Sequence, residues 1–498
     1  MTPSRFSPYG NWISPITAAA VVAQSFSAGI DDIIIDPANS NIYYAQKHPE
    51  EGGRSVIVDS ENRRDLFDGT WDARTQVYEY GGAAAVVFDS VLLASRKRCL
   101  LKIRVGASNN SIFFVSDVSG FQNPWKFTFQ DKPVDGKASP ILSEPLPEEF
   151  GLPQWWINRH GSGALTEKVV AFMSMRKGRS ALYLCNIETA DADEVLVSLT
   201  LDSNGQPKLT PLLPPTADGN DVGLSLEYVS EGEYYALTLP PDGRTCHITY
   251  YAPRNPKYDG GLPGEKPPIV VNIHGGPWYM ESANLNWMKQ FYTSRGWALV
   301  DINHGGSTGF GRAFRETLVG KWGVLDVQDA HETVLKLDAL GLADARRAVV
   351  FGGSAGGYSV LQIATTLPEA FAAGSPHYGI SDMRKLDEVL HKFEYYLCDR
   401  LMGGTYEECE DVWKARSPIY HVDKVEMPLL ILQGKEDTVI PAEQMIEVEQ
   451  ALKAKGCKVE LILFDGEGHG WRKASTVRTE LERSLAFFNE VLGLHNSA

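Results

Sequence analysis

A serine flanked by glycines is the first feature of this sequence that could carry out covalent chemistry. Ser354 lies at the centre of a Gly-x-Ser-x-Gly pattern, between an apolar run at residues 348–351 and a helical pattern at residues 355–366. Small residues let the chain turn tightly from a strand into a helix, and that turn holds a serine hydroxyl at the carboxyl edge of a sheet. The pattern alone is weak evidence, but its place between a strand and a helix predicts a nucleophile.

A serine hydroxyl is a poor nucleophile, so a base and an orienting carboxylate must accompany it. Asp437 follows an apolar run at residues 429–433, and His469 follows the next such run at residues 459–464. Both side chains are therefore expected in loops at the ends of neighbouring parallel strands. The chain order Ser354, Asp437, His469 is that of α/β-hydrolases and differs from the orders of chymotrypsin-like and subtilisin-like enzymes. The sequence thus predicts a Ser-His-Asp triad.

Four other polar residues offer alternatives for the triad. Glu436, Asp465 and Glu467 lie in the same two loops, and we interpret them as loop-capping or solvated carboxylates. His274 follows an early strand pattern, where a structural hydrogen bond is a better interpretation than a catalytic base. None of the four is therefore assigned to the triad.

Acyl transfer also needs hydrogen-bond donors for the oxyanion that develops on the substrate. A strand pattern at residues 268–273 ends in the sequence His-Gly-Gly-Pro, and the backbone N–H of Gly276 within it is one candidate donor. The N–H of Ala355, next to the nucleophile, is the second. One such donor lowers the barrier by roughly 3 kcal/mol.

The elements that must position these residues form an α/β domain. After about residue 222, apolar β-rich runs alternate with helical patterns. Such alternation indicates right-handed crossovers and a mostly parallel sheet with helices on both faces. We therefore predict an α/β-hydrolase catalytic domain over residues 222–498.

The preceding residues have a different pattern. From about residue 31 to 197, short alternating or β-branched runs are separated by turn clusters, as is typical of antiparallel hairpins. A weak repeat shared by residues 41–68 and 180–196 favours propeller blades, and a β-sandwich explains the periodicity equally well. Proline and glycine interrupt the strand pattern at residues 214–223. We therefore predict an N-terminal helix and an all-β domain over residues 1–221.

Composition excludes several classes of function. Among the 498 residues, 47 are Lys or Arg and 63 are Asp or Glu, which gives a net charge of −16. This balance opposes binding to nucleic acid or to an anionic membrane surface. Neither a His-Glu-x-x-His motif nor a glycine-rich nucleotide loop is present, so we expect no metal and no cofactor.

Cysteine spacing and hydropathy bear on the compartment. The six cysteines include no Cys-x-x-Cys pair, which speaks against a zinc ribbon or redox pair and favours a reducing, cytoplasmic setting. No apolar run reaches 18 residues, so a membrane-spanning helix is not expected. We interpret the short apolar stretch at residues 16–23 as an amphipathic helix capped near Ser14 and not as a signal peptide.

Several motifs together resemble the prolyl oligopeptidase family of serine peptidases, in particular its acylaminoacyl peptidase and dipeptidyl aminopeptidase-like branch. The matching segments lie at residues 274–277, 303–311, 322–326, 352–356, 391–394, 433–437 and 468–470, with weaker matches at residues 9–17 and 78–82. The strong matches cover nearly all of residues 222–492. The weaker ones favour a propeller over a sandwich in the N-terminal half.

The resemblance implies roles for individual residues. Ser354, Asp437 and His469 match the family's triad, and Gly276 and Ala355 match its backbone oxyanion donors.

The resemblance also implies a hydrophobic specificity pocket. The aromatic residues Phe393, Tyr395 and Tyr396 match the segment that builds it in related enzymes, and Tyr358, four residues after the nucleophile, is a candidate for its wall. Packing of a helix on the sheet explains the same aromatic residues equally well.

Two departures from the family pattern limit this comparison. Some relatives carry a tyrosine as an oxyanion donor where this chain has His274, so the oxyanion hole is expected to consist of backbone N–H groups. A seven-bladed cap would need about 300 residues, whereas the β region here spans about residues 25–220. We therefore expect a shortened propeller, whose wider entrance would admit bulkier substrates than a full cap does.

The sequence thus predicts a soluble serine hydrolase of the prolyl oligopeptidase type that cleaves peptide or N-acyl amide bonds. Its partner would be a peptide or small acylated substrate, and a homo-oligomer remains open. An esterase, thioesterase or lactonase is the alternative, because a triad does not distinguish acyl leaving groups. A non-catalytic binding scaffold is a third hypothesis, against which the complete triad speaks.

Overall fold

The structure is a computed structural model. Of the 498 residues it describes 5–26, 30–36, 41–62, 64–69, 72, 85–88, 91–94, 111–129, 136–151, 162–164, 169–189, 192–195, 199–201, 207–209, 225–390 and 394–494.

Short antiparallel strands make up the described part of the N-terminal half. In chain order they are β1 (Ile30–Ile35), β2 (Ile42–His48), β3 (Arg54–Asp59), β4 (Arg64–Asp65), β5 (Ala85–Phe88), β6 (Val91–Ala94), β7 (Ser111–Ser116), β8 (Asn123–Phe129), β9 (Gly136–Pro140), β10 (Ser162–Ala164), β11 (Val169–Arg176), β12 (Arg179–Asn186), β13 (Ala192–Val195), β14 (Leu199–Leu201) and β15 (Pro207–Leu209). They form the sheets β1-β2-β3-β4, β7-β8-β9 and β10-β11-β12-β13 and the pairs β5-β6 and β14-β15. The prediction of an all-β region is confirmed.

Each of these sheets is a meander, because strands that are neighbours in the sequence are also neighbours in the sheet. Meanders of this kind build propeller blades, and the shortened propeller stays a prediction. The segment at residues 78–82 that favoured it lies outside the described residues, as does the proposed domain boundary at residues 214–223.

In the strands of this region, side chains that point to one face of the sheet are buried and those on the other face are more exposed. Val170 and Phe172 point to one face of β11 and are buried, and they pack with Tyr183 and Cys185 of the neighbouring strand β12. Phe150 adds its ring edge-on to Phe172, with 6.4 Å between the ring centroids. Every second side chain of β11 therefore points into the core, as expected for a pleated strand.

A mixed eight-stranded sheet is the centre of the C-terminal half. Its strands are β16 (Glu233–Leu239), β17 (Arg244–Tyr251), β18 (Ile269–Ile273), β19 (Ala298–Asn303), β20 (Ala348–Gly353), β21 (Ala373–His377), β22 (Leu429–Gly434) and β23 (Val459–Phe464). Their spatial order is β16-β17-β19-β18-β20-β21-β22-β23. The pairs β16-β17 and β17-β19 are antiparallel, and all later pairs are parallel. The predicted α/β-hydrolase fold is confirmed by this topology.

Helices cover this sheet on both faces. The α-helices in the described part of the chain are α1 (Ala18–Phe26), α2 (Trp287–Thr293), α3 (Arg312–Arg315), α4 (Leu325–Ala339), α5 (Ala355–Thr366), α6 (Met383–Val389), α7 (Leu397–Met402), α8 (Glu410–Ala415), α9 (Glu443–Lys455) and α10 (Ala474–Leu492). Short 3-10 helices lie at Pro49–Glu51, Leu226–Tyr228, Glu316–Leu318, Ala345–Arg347 and Pro418–Lys424. Within the described part of the chain, no helix has both the length and the apolar character needed to cross a membrane.

The central strands contribute to two hydrophobic cores, one on each face of the sheet. Val271 and Val350 belong to the core that α4, α5 and α9 cover, whereas Val270 and Val349 belong to the core under α10. All five residues of β18 are buried. Successive residues of a strand point to opposite faces, so a strand covered on both sides is mostly apolar. Asn272, the one polar residue of β18, donates a hydrogen bond to the buried Asp301 at 2.8 Å.

Helix α1 packs on the α/β domain that contains the eight-stranded sheet. Ile16, Val21 and Val22 lie in the same hydrophobic core as Phe487 and Phe488 of α10. The helix begins a few residues after the cap predicted near Ser14. In space, the N-terminal helix is therefore part of the hydrolase core, and the division of the chain at residues 221 and 222 stays a prediction.

The β region and the hydrolase region contact each other through polar groups. The backbone N–H of Gly311 donates to Oε1 of Glu149 at 3.1 Å. The side chain of Arg315 forms an ion pair with Asp117 at 3.0 Å. The backbone N–H of Arg312 donates to the carbonyl of Gly120 at 2.7 Å. These contacts tie the N-terminal half to the loop and helix that follow β19.

Candidate active site

The turn from β20 into α5 holds Ser354 in a strained conformation. Its φ is 57° and its ψ is −119°, which places a non-glycine residue in the left-handed half of backbone space. A Cβ at Gly356 would collide with the backbone carbonyl of Ile273, and one at Gly353 would lie 2.6 Å from the hydroxyl of Tyr378. Glycine is therefore required at both positions because neighbouring residues lie too close for a side chain. The strained conformation of Ser354 is typical of a nucleophile elbow.

The structure brings Ser354, His469 and Asp437 together in one hydrogen-bonded line. The Ser354 Oγ lies 2.8 Å from Nε2 of His469, and Nδ1 of His469 lies 2.8 Å from Oδ2 of Asp437. A carboxylate only accepts hydrogen bonds, so Nδ1 carries the proton and donates it to Asp437. Nε2 then accepts from the Ser354 hydroxyl, which is the tautomer that a general base needs.

Backbone groups fix the position of Asp437 after β22. Its Oδ1 accepts hydrogen bonds from the N–H groups of Val439 at 2.9 Å and Ile440 at 2.8 Å. Its Oδ2 accepts from Nε2 of Gln433 at 3.3 Å. The side chain is fully buried. The carboxylate is therefore held for His469 by the loop that presents it.

The neighbouring carboxylates have other partners. Glu467 accepts hydrogen bonds from the N–H groups of Arg472 at 3.0 Å and Lys473 at 2.9 Å. Asp465 pairs with Lys435 and is 84% exposed, and Glu436 is also exposed. These positions agree with the interpretation of the three as capping or solvated groups.

His274 is a buried structural residue in this geometry. Its Nδ1 donates to the carbonyl of Gly275 at 2.7 Å, and its Nε2 accepts from the hydroxyl of Ser307 at 2.7 Å. Burial, with a smaller contribution from His304, lowers the pKa of His274 to about 3. The ring is therefore neutral and orients the loop that carries Gly276.

Two backbone groups lie where an oxyanion hole is predicted. Gly275 packs against the nucleophile, since a Cβ on it would lie 3.5 Å from Cβ of Ser354. Gly276 lines the same cavity as Ser354 and has a φ of 121°. Ala355 is the first residue of α5, where an N–H has no acceptor within its own helix. Their function as oxyanion donors stays a prediction.

A cavity of about 500 Å³ opens beside Ser354. Its apolar walls include Met288, Tyr292, Leu299, Phe351 and Leu481. This size lies within the range of small-molecule and short-peptide sites, which are mostly apolar with a few placed polar groups.

The aromatic residues predicted to build a specificity pocket do not line this cavity where the structure describes them. Tyr358 is completely buried against Trp322, and its hydroxyl donates to the carbonyl of Arg416 at 2.9 Å. Tyr395 and Tyr396 are 66% and 73% exposed. The remaining pocket residue of that prediction, Phe393, lies outside the described residues.

The cavity is also lined by residues that the sequence did not predict to lie there. Tyr378 has a positive φ of 36° and stands edge-on to His469, with 4.9 Å between the ring centroids. Tyr279 and Glu394 also line the cavity. Glu394 lies inside a motif that resembles the family, but neither spacing nor residue type distinguished it from its aromatic neighbours.

Two groups of ionisable side chains also lie at the cavity wall, one around Lys289 and one formed by His377 and Glu480. Lys289 donates to Asp301 at 2.6 Å and to Glu281 at 3.1 Å. Burial opposes its charge, but the two carboxylates outweigh burial and raise the pKa of Lys289. On another wall, Nδ1 of His377 lies 3.3 Å from Oε1 of Glu480. Burial raises the pKa of Glu480 to about 8 and lowers that of His377 to about 3, so both groups are neutral near pH 7.

Comparison with protein families matches residues 283–495 to the prolyl oligopeptidase family, a family of serine peptidases. Dipeptidyl aminopeptidase BIII of Pseudoxanthomonas mexicana is 30% identical over 230 residues, which are 45% of this chain and 33% of that protein. An acylamino-acid-releasing enzyme of Arabidopsis thaliana is 28% identical over 234 residues, which are 46% of this chain and 30% of the relative. The chain thus spans about a third of the length of these relatives.

Solved structures share the fold over the whole chain. A puromycin hydrolase superposes with a TM-score of 0.85 at 22% identity, covering 99% of this chain and 98% of the other. A puromycin-hydrolyzing peptidase of Mycobacterium tuberculosis gives 0.83 at 24% identity, with the same coverage. Both comparisons support an α/β-hydrolase domain together with an N-terminal β domain.

Proposed function

We propose that this chain, in which residues 283–495 match the prolyl oligopeptidase family, is a serine hydrolase that cleaves peptide or N-acyl amide bonds by acyl transfer. The observation that carries the proposal is the unbroken hydrogen-bonded line from the Ser354 hydroxyl through His469 to Asp437. A serine that acts as a nucleophile requires a base and an orienting carboxylate, whereas a serine with a structural function does not.

In the first half of the proposed reaction, Oγ of Ser354 attacks the substrate carbonyl carbon while Nε2 of His469 takes the hydroxyl proton. Asp437 stabilises the resulting imidazolium through its hydrogen bond to Nδ1. The imidazolium then gives the proton from Nε2 to the leaving nitrogen, the C–N bond breaks, and an ester on Ser354 remains. In the second half, water attacks this ester, His469 takes the water proton, and the same proton returns to Ser354 as the acid leaves.

The oxyanion of each tetrahedral intermediate would accept hydrogen bonds from the N–H groups of Gly276 and Ala355. A preorganised donor of this kind is worth roughly 3 kcal/mol because it costs no reorganisation when charge develops. The fixed position of Gly275 against Ser354 supports this assignment.

The names of similar proteins support an amide substrate, and the size of the cavity supports a small one. Relatives are named for dipeptidyl aminopeptidase and acylamino-acid-releasing activities, and structures of similar fold are named for hydrolysis of puromycin. The cavity of about 500 Å³ suits a short acyl part and not a folded protein.

Substitution of the nucleophile tests the proposal. We expect Ser354→Ala to remove hydrolysis of aminoacyl and acetyl-aminoacyl anilides, while Ser475→Ala, at an exposed serine of the same domain, keeps wild-type rates. Turnover of an anilide by the Ser354→Ala variant would contradict the assignment of the nucleophile. Wild-type turnover confined to nitrophenyl esters would contradict the assignment of an amide substrate.

A further inference from the structure

Four polar side chains form one part of the wall of the cavity that Ser354 also lines. His377 ends β21, Trp471 precedes α10, and Glu480 and Ser484 lie on α10. The two residues of α10 are four positions apart and therefore lie on one face of that helix. We call these four residues the polar wall. The nucleophile and the polar wall thus face one cavity, which is the space a bound substrate would occupy.

Hydrogen bonds fix where the protons of His377 and Glu480 lie. The hydroxyl of Ser375 donates to the carbonyl of Leu430 at 2.8 Å and lies 3.0 Å from Nε2 of His377. A hydroxyl has one proton to donate, so Ser375 accepts from His377, and Nε2 carries the proton of the neutral ring. Nδ1 is then an acceptor, and Oε1 of Glu480, 3.3 Å away, donates to it. Glu480 is therefore a neutral acid, in agreement with its burial, which raises its pKa to about 8.

Three buried polar atoms of the polar wall have no hydrogen-bond partner among the described residues. They are Oε2 of Glu480, Nε1 of Trp471 and Oγ of Ser484. The N–H of Trp471 lies near enough to Glu480 to oppose the rise in its pKa, but the two groups do not reach hydrogen-bonding geometry. Ser484 lies near Tyr292 in the same way. Buried polar atoms are rarely left unpaired, because each unpaired group costs free energy. A molecule bound against the polar wall would therefore gain hydrogen bonds from it.

The unpaired atoms determine which chemical group the polar wall fits. Oε2 of the neutral Glu480 is an acceptor, Nε1 of Trp471 is a donor, and the hydroxyl of Ser484 can be either. A carboxamide matches this set, because its N–H can donate to Glu480 while its carbonyl accepts from Trp471. A hydrocarbon group of the same shape would leave the three atoms unpaired. A site built to bind a polar group rejects its apolar analogue for this reason.

Charged groups match the polar wall less well than a neutral one. A carboxylate would place its charge beside the carbonyl oxygen of Glu480, and the one Lys or Arg of the described cavity wall is Lys289. That lysine is already bound by Asp301 and Glu281. An ammonium group binds strongly to an ionised carboxylate, but Glu480 keeps its proton for Nδ1 of His377.

We propose that the polar wall binds a neutral carboxamide on the acyl part of the substrate, so that the chain prefers bonds that follow an asparagine or a glutamine residue. This inference rests on the proposed function, because the carboxamide is held while the carbonyl carbon of the same residue is presented to Ser354. It assigns substrate preference to residues of β21 and α10 and of the segment that joins His469 to α10.

Isosteric substrates test the inference. The asparaginyl and leucyl p-nitroanilides have side chains of the same shape, as have the glutaminyl and homoleucyl compounds, and aspartyl p-nitroanilide adds a charge. Each is measured with a free and with an acetylated N-terminus. For the better of the two carboxamide substrates, we expect wild type to show a kcat/KM about 100-fold above that of its hydrocarbon counterpart. The aspartyl substrate should be cleaved more slowly than the asparaginyl one.

Two substitutions at Glu480 separate its hydrogen bond from its charge. Glu480→Met removes the acceptor and should lower the ratio of carboxamide to hydrocarbon kcat/KM about 10-fold or more. Glu480→Gln should keep the preference, because its amide N–H replaces the acid proton at His377 and leaves a neutral carbonyl oxygen toward the cavity. Glu482→Met is the matched control at an exposed glutamate of α10.

Four results would overturn the inference and leave the proposed function intact. They are equal or faster cleavage of the hydrocarbon substrates by wild type, faster cleavage of the aspartyl substrate, an unchanged ratio in Glu480→Met, and loss of the preference in Glu480→Gln. A folded wild-type protein that cleaves none of the anilides would overturn the proposed function itself.

Discussion

At the scale of single residues, the proposed reaction depends on which ring nitrogen of His469 carries a proton. The hydrogen bond to Asp437 holds the proton on Nδ1, and Asp437 is itself held by two backbone N–H groups. The loop backbone therefore fixes the position of Asp437, and Asp437 fixes the ring of His469. The ring in turn accepts the hydrogen bond of the Ser354 hydroxyl. A substitution at Asp437 should change which nitrogen of His469 is protonated and leave the fold unchanged.

We expect Asp437→Asn to lower kcat about 10,000-fold, because an amide in this position can donate to His469 and favour the wrong tautomer. Steady-state kinetics measure the loss, and circular dichroism checks that folding is kept. Glu436→Gln, at the exposed neighbouring carboxylate, should stay near wild type. Full activity of Asp437→Asn would show that another group orients the imidazole.

The proximity of Ser354, Asp437 and His469 could be predicted from the sequence, whereas the side chains that line the cavity could not. Ser354, Asp437 and His469 each follow a strand pattern, and the ends of parallel strands meet at one edge of a sheet. Tyr358 was expected in the pocket because it lies one helical turn after Ser354. Its side chain instead points away from the cavity toward Trp322, and a helical period alone does not reveal such a direction.

At the scale of elements, the turn from β20 into α5 is limited by space. The first turn of α5 passes so close to the end of β18 that Gly356 has no room for a Cβ beside the carbonyl of Ile273. The position of Ser354 thus depends on the contact between two elements as well as on its own φ and ψ.

We expect Gly356→Ala to destabilise the protein by about 1–3 kcal/mol and to remove activity, because the helix must shift and carry Ser354 with it. Urea unfolding and anilide hydrolysis measure the two effects. Gly69→Ala has open space around its Cβ and serves as the control. A Gly356→Ala protein with wild-type activity would contradict this account of the elbow.

The contact between β21 and α10 contains an acid that is neutral near pH 7. Burial raises the pKa of Glu480 to about 8, and its neighbour His377 has a pKa lowered to about 3. The native state therefore keeps a proton that the unfolded state releases near the ordinary glutamate pKa. Stability contributed by this group is present at low pH and falls as the pH rises toward 8.

Glu480→Gln should remove this part of the pH dependence, because the amide cannot ionise. We expect the wild-type free energy of unfolding to fall between about pH 5 and pH 8 more steeply than that of the variant, by roughly 1–3 kcal/mol over the interval. Denaturation at a series of pH values measures the difference. Parallel curves for the two proteins would show that Glu480 titrates normally.

At the scale of the whole molecule, hydrogen bonds attach the β region to the domain that carries the cavity. Glu149 accepts hydrogen bonds from the N–H groups of Gly311 and Gln122, both at 3.1 Å. The carbonyl of Gly178 accepts from the N–H of Ala283, which lies near the cavity residue Glu281 in the sequence. The β region is therefore attached to the domain that carries Ser354 at two places, one of which lies near a cavity residue in the sequence.

We expect Glu149→Ala to lower the free energy of unfolding by about 1–3 kcal/mol, because it leaves two backbone donors without an acceptor. We also expect a higher rate on longer peptides relative to alanyl p-nitroanilide, because the β region would be attached less firmly to the domain that carries the cavity. Glu144→Ala, at an exposed position nearby, is the control. An unchanged ratio of rates would show that these contacts do not govern access.

The arrangement of the β region is the part of the fold that the sequence revealed least. Two-residue alternation in strands such as β11 identifies hairpins, because each short strand buries its own apolar face. It does not show how separate meanders sit around one another, since that depends on contacts between sheets. The packing of α1 on α10 was missed for the same reason, because the two helices lie at opposite ends of the chain.

The central claim is that Ser354 is the nucleophile of an amide hydrolase, and covalent titration tests it most directly. Wild-type protein is treated with increasing amounts of a fluorophosphonate, and each sample is assayed on alanyl p-nitroanilide and analysed by peptide mass spectrometry. We predict one adduct, on Ser354, and a loss of activity in proportion to its occupancy. Full activity at full occupancy of Ser354, or inactivation by an adduct on another residue, would contradict the account.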